Sequence, residues 1–236
     1  RERHPELAIR IFSSTTTTES DHRILAELPP EVKFERACAT GMERVPHLPR
    51  DLIANPLLDR CADEGRWIAS YDVPLGVYGR VDTPEFKLPH HSAHRIRDFV
   101  GQLIRRGYRG TYGMMAWATQ AEQTCGFNIC ALAEYSWNLR GRSERDFALA
   151  WATREGYEDP RAVADWAELV GPIEFDVYDS DFPICYSWGQ AASMVIERQR
   201  PRLGEGMFRY YPDPEDFARK RRICEKAVEI AEGFGD

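Results

Sequence analysis

Four apolar runs, each followed by a helix pattern, occupy the first 140 residues, and this alternation restricts the fold more than anything else in the chain. The strand candidates are Leu7–Phe12, Val32–Cys38, Trp67–Val73 and Gly110–Trp117. A helix capped by Ser20 or Asp21 follows the first and runs to Leu28, where Pro29-Pro30 stops it. A second spans about Asn55 to Glu64 and ends at Gly65, a natural C-cap. Ser92 opens a third, in which Ile96, Phe99, Val100, Leu103 and Ile104 recur at helical spacing on one face until Gly107 ends it. Phe127 to Trp137 follows the fourth strand. Strand–helix units in series imply parallel strands, because each return to the same end of a sheet needs a crossover. The sequence therefore predicts an α/β fold with four parallel strands.

From Gly141 onward only helix patterns remain. Ser143 with Asp146 forms an N-terminal cap pair before FALAWATREG. Asp159-Pro160 starts the next helix, with Val163, Trp166, Ala167 and Val170 as its apolar face and Gly171-Pro172 as its end. Ser187 to Arg200 reads as helical, and Asp213-Pro214 opens a last helix through Ile230. The predicted division is thus residues 1–140, α/β, and 141–236, helical. Trp137, Trp151, Trp166 and Trp188 mark the helical patterns and are assigned to packing.

Composition narrows the function classes. Hydrophobic residues make up 43% of the chain and charged residues 29%, with a formal net charge of −7; this is an ordinary globular balance that lacks the basic footprint of a nucleic-acid binder. No apolar run approaches the roughly 20 residues of a membrane-spanning helix. The chain opens on RERHPELAIR, without Met, and reads as an internal piece of a longer protein. Six cysteines lie far apart with no CxxC pair, so free thiols are expected rather than a zinc ribbon or a disulfide framework. His90 and His94 stand at a metal-compatible i, i+4 spacing, but a helix beginning at Ser92 leaves His90 outside it; no metal and no cofactor are predicted.

In parallel α/β architectures chemistry collects at the C-terminal ends of the strands. That rule selects Ser13, Ser14 and the Thr15–Thr18 run after the first strand, and Thr40, Met42, Glu43 and Arg44 after the second. It selects Tyr71 and Asp72 at the third, and Trp117, Thr119, Gln120, Glu122 and Gln123 after the fourth. Mixed aromatic and polar groups suit a sugar: a pyranose CH face packs on Trp or Tyr while Asp, Gln and Thr bond the hydroxyls. Tyr71, Trp117, Thr119 and Gln120 are the predicted substrate-binding residues. Glycoside hydrolysis usually needs two carboxyl groups about 5 to 10 Å apart. Asp72 and Glu122 are the acids nearest consecutive strand ends and the candidate catalytic groups, with Glu43 a third. The alternative role for the same side chains is rim packing and loop capping. GxSxG, GxGxxG and P-loop signatures are absent.

Ala133-Glu134-Tyr135-Ser136-Trp137-Asn138 resembles the Tyr-x-Trp-Asn helix closure of hexosaminidase-like glycoside hydrolases, the clan of the O-GlcNAc hydrolase and hyaluronidase-type barrels. His4-Pro5, Trp67 to Asp72 and Gly107-Tyr108-Arg109-Gly110 are similar to an uncharacterised bacterial domain found beside hexosaminidase- or α-glucuronidase-like domains. The resemblance covers about residues 1 to 155. It implies the second half of a (β/α)8 barrel with a helical extension, acting on a polysaccharide or glycoconjugate together with an upstream half-barrel, in a secreted or periplasmic protein. It also places the family's acidic pair on a strand before Arg1, and the closing strand here, Gly113-Met114-Met115-Ala116-Trp117, carries no carboxylate until Glu122. This piece is therefore expected to supply mainly substrate-binding loops. Two rival readings are a non-catalytic carbohydrate-binding or scaffold module, and an interaction domain whose helices after Gly141 dock a partner.

Overall fold

The computed structural model describes residues 4, 7–13, 18–36, 56–70, 92–111, 121–173 and 213–234. Among them are four strands, β1 (Arg10–Ser13), β2 (Lys33–Arg36), β3 (Ile68–Ser70) and β4 (Gly110–Thr111). Seven helices accompany them: α1 (Thr18–Glu27), α2 (Pro56–Asp63), α3 (Ala93–Arg105), α4 (Ala121–Trp137), α5 (Glu144–Glu155), α6 (Pro160–Val170) and α7 (Pro214–Ala231). The strands form one sheet in the order β1-β2-β3-β4, and every pair is parallel. The architecture is α/β, and its chain-order parallel sheet is compatible with half of a (β/α)8 barrel.

By internal packing the chain divides into two compact units. The first comprises Arg1–Val45, Arg50–Val73 and Phe99–Met114; the second comprises Pro46–Pro49, Pro74–Asp98 and Met115–Asp236.

In the first unit the sheet alternates its side chains between two faces. Ile11, Phe34 and Ile68 are register partners on one face, and Phe34 and Ile68 are fully buried there. On the other face Arg10 Nε lies 2.8 Å from Glu35 Oε1. Arg10 and Lys33 both stand over the Trp67 ring, 5.1 and 4.9 Å from its centroid. The helices end where the chain can turn left-handed. Gly65 (φ 90°) follows α2 and Gly107 (φ 71°) follows α3, a backbone conformation that costs a side-chain-bearing residue energy. On α3 the predicted apolar face holds for Ile96, Phe99, Val100 and Leu103, all at most 4% exposed, whereas Ile104 is 54% exposed. The start of α1 differs from expectation: it begins at Thr18, so Asp21 sits inside the helix, fully buried, instead of capping it.

The second unit is built on capped helices. Ser143 accepts the Asp146 N–H, Asp159 accepts those of Arg161 and Ala162, and Asp213 accepts that of Glu215, with Pro160 and Pro214 in the first turn. Phe127 of α4 meets the rings of Phe147 and Trp151 of α5 edge-on, each 5.1 Å away. Trp151 also faces Tyr157, and Trp166 faces Phe234. The packing role expected of Trp151 and Trp166 is what they have; Trp188 lies outside the described residues. Trp137 is a correction, being 93% exposed. It is the last residue of α4, where the helix runs out before its face can be covered.

Arg97 ties these helices together. Its Nε donates to the Leu139 carbonyl at 3.1 Å, its Nη1 donates to Glu144 Oε2 at 2.8 Å, and its guanidinium lies over the Tyr135 ring. Tyr135 itself is fully buried, and its hydroxyl finds no hydrogen-bond partner among the described residues. Burial, then the nearby Glu144 carboxylate, push its phenol well above the ordinary tyrosine range.

Two outcomes follow from this packing. Tyr135→Phe removes a buried hydroxyl with no partner, so urea unfolding should show stability unchanged or raised by up to about 1 kcal/mol. The same substitution should flatten the loss of stability above about pH 10, because the unfolded tyrosine ionises there while the buried one does not. Gly110→Ala would place a Cβ 2.7 Å from the Trp67 ring and 3.2 Å from the Ala69 Cβ. Its thermal midpoint should fall, and near-ultraviolet circular dichroism should report a displaced indole.

Candidate functional site at the strand ends

Parallel register places the last described residues of all four strands on one rung. Ser13 pairs with Arg36, Arg36 with Ser70, and Ser70 with Thr111. Register partners in a parallel sheet project to the same side, so a hydroxyl, a guanidinium and two further hydroxyls succeed one another across the C-terminal edge. Ser13, Arg36 and Ser70 are at most 3% exposed.

A buried guanidinium needs a counter-charge. Asp21 supplies it from α1, its Oδ2 meeting Arg36 Nε, while Ser13 Oγ donates to Asp21 Oδ1 at 2.9 Å. One carboxylate thus joins the ends of β1 and β2 to the helix between them. The charges cancel inside the sheet–helix layer, so this group orders the strand ends and does not present an open cation. The Ser70 Oγ and Thr111 Oγ1 atoms are buried and accept or donate nothing among the described residues.

The residues expected to carry chemistry fall mostly beyond these ends. Tyr71 and Asp72 follow Ser70 directly in sequence, and both lie outside the described residues, as do Trp117, Thr119, Gln120 and Glu43. Glu122 lies in the first turn of α4, but its side chain is outside the described set. What the structure does bring together is the frame: β3 and β4 are adjacent and parallel, and Ser70 and Thr111 are partners.

Asp21 and Arg36 were not singled out from the sequence as partners. The signal was present: Lys33-Phe34-Glu35-Arg36 puts charges into a run whose Phe34 must be buried, and a central strand can bury charge only if a partner reaches it.

The remaining candidates resolve as structural pairs. His94 Nε2 lies 3.2 Å from Glu168 Oε2, joining α3 to α6, and His90 lies outside the described residues. No group of three His, Cys, Asp or Glu side chains suited to a metal occurs among the described residues. Cys61, Cys125, Cys130 and Cys224 form no disulfide among the described residues, and burial pushes the thiols of Cys61 and Cys224 up. Among the described residues no helix is long and apolar enough to cross a membrane.

Asp21→Ala removes the buried carboxylate that meets Arg36 and should cost about 3–5 kcal/mol in urea unfolding. Adding Arg36→Met should recover a large part of that loss in a double-mutant cycle; additive losses would show that the two groups do not act as a pair. No known protein family, curated protein or solved structure matches this chain.

Proposed function

We propose that the chain is the second half of a (β/α)8 barrel of the hexosaminidase-like glycoside hydrolase type, acting on a polysaccharide or glycoconjugate together with a preceding half-barrel. The observation that supports this reading most is the chain-order parallel sheet whose strands end on one rung. In such a sheet, loops leaving neighbouring strands start about 5 Å apart. The segments bearing Tyr71 and Asp72, and Trp117 to Gln120, start from the neighbours Ser70 and Thr111.

In this reading Tyr71 and Trp117 offer flat apolar surfaces to a pyranose, and Thr119 and Gln120 bond its hydroxyls. Asp72 accepts from a hydroxyl or acts as one carboxyl of the pair, and Glu122 is the other acid on this piece. The buried Asp21–Arg36 pair holds the strand ends still, which lowers the ordering cost of binding. The piece contributes mainly substrate binding, and the principal acids come from the preceding half.

A second reading keeps the sugar and drops the reaction. The lack of a carboxylate between Gly113 and Ala121 favours a non-catalytic carbohydrate-binding or scaffold module.

Asp72→Ala in the intact parent protein should weaken oligosaccharide binding or turnover by well over tenfold, the scale of a lost charge-assisted hydrogen bond. Unchanged kinetics and affinity would remove Asp72 from the site. Trp117→Ala should reduce affinity by about tenfold; a wild-type protein that binds without turnover in the intact parent would establish the module reading.

A further inference from the structure

The end of α4 carries a feature that packing does not use. Trp137 is 93% exposed. An indole is mostly apolar, and leaving it in water forgoes a large burial gain. Its surroundings are polar: Ser136, Asn138, Arg140 and Arg142 are all exposed, and no other large apolar residue in the 133–142 segment is exposed.

The segment is also rigidly held. The Asn138 N–H donates to the Glu134 carbonyl at 2.9 Å, and the Gly141 N–H donates to the Asn138 carbonyl at 3.0 Å. Asn138 Oδ1 accepts the Arg140 N–H at 3.1 Å, which leaves the NH2 as the side chain's donor group. Arg97 anchors the turn through the Leu139 carbonyl. Arg142 Nη1 stands 3.8 Å from Glu134 Oε2, one turn before Trp137 on the helix. A flat aromatic surface is thus presented beside an amide, a carboxylate and a guanidinium, on backbone that needs no reordering to bind.

We propose that Trp137 is a further carbohydrate-binding platform that stacks one pyranose of a glycan chain while Asn138, Glu134 and Arg142 bond its hydroxyls. A protein partner would need a continuous apolar patch with a dry centre, and a lone ring amid polar groups does not provide one. A pyranose needs one such ring: its CH face covers the indole and its equatorial hydroxyls reach the rim. The proposal rests on the carbohydrate reading above and adds to it a second contact to the glycan chain.

The test is titration of the 236-residue chain with four soluble probes: cellohexaose, chitohexaose, xylohexaose and a hyaluronan hexasaccharide. Binding is read by calorimetry and by the tryptophan emission maximum, for the wild type, Trp137→Ala, Trp137→Tyr and Asp72→Ala. The expected result is saturable binding of at least one probe with a blue shift in emission. Trp137→Ala should weaken it at least tenfold, Trp137→Tyr should stay within about threefold of wild type, and Asp72→Ala should retain the blue shift. Wild-type binding that Trp137→Ala leaves unchanged overturns this platform and leaves the strand-end reading standing. Failure of the wild type to bind any probe overturns the platform, and the strand-end reading is then decided in the intact parent protein. A concentration-dependent self-association in ultracentrifugation that Trp137→Ala abolishes, without a sugar effect, also overturns it, by assigning the ring to a contact between copies.

Discussion

Arg36 ends β2 with a charged group shielded from solvent, and such a group is tolerable only if a carboxylate arrives from another element. Asp21 arrives from α1, and Ser13 completes the arrangement from β1. Because the pair spans strand, crossover helix and neighbouring strand, a one-residue slip of β1 against β2 would turn Ser13 to the wrong face and break it. Register along the rest of the sheet follows from the same rung, through Ser70 to Thr111. The opposite face is set by a different device: Arg10 and Lys33 hold the Trp67 ring, and Gly110 is bare because that ring fills the space where a side chain would go.

Much of this frame was readable from the chain. Apolar runs alternating with helix patterns specify parallel strands, and Gly65, Gly107, Ser143, Asp159 and Asp213 mark helix ends by local chemistry that tertiary packing seldom overrides. Asp21 was misread for the same local reason. As a short acidic residue next to a helix start it looks like a cap, and only the distant Arg36 makes burial inside α1 favourable. Trp137 was misread in the opposite direction. Grouped with the other tryptophans of the helical patterns it reads as packing, but periodicity cannot tell that α4 ends at that very residue. For the site, the strand ends were legible through the parallel rule, and Tyr71, Asp72, Trp117, Thr119 and Gln120 remain sequence readings attached to a described frame.

The two kinds of segment divide the work. Rungs and caps fix where the loops begin, and the loops carry the residue types that would recognise a sugar. This is the usual arrangement in α/β folds, where chemistry varies on a constant scaffold. The buried Asp21–Arg36 pair belongs to the scaffold.

The claim that most of this depends on is that ligand contacts spread over neighbouring strand ends at once. Backbone amide chemical shifts of the deuterated chain, followed during titration with an oligosaccharide, test it directly. The account predicts that amides following Ser70 and those following Thr111 move together along one saturation curve. Shifts confined to a single strand end, or absent from all four while the sugar binds elsewhere, would contradict it.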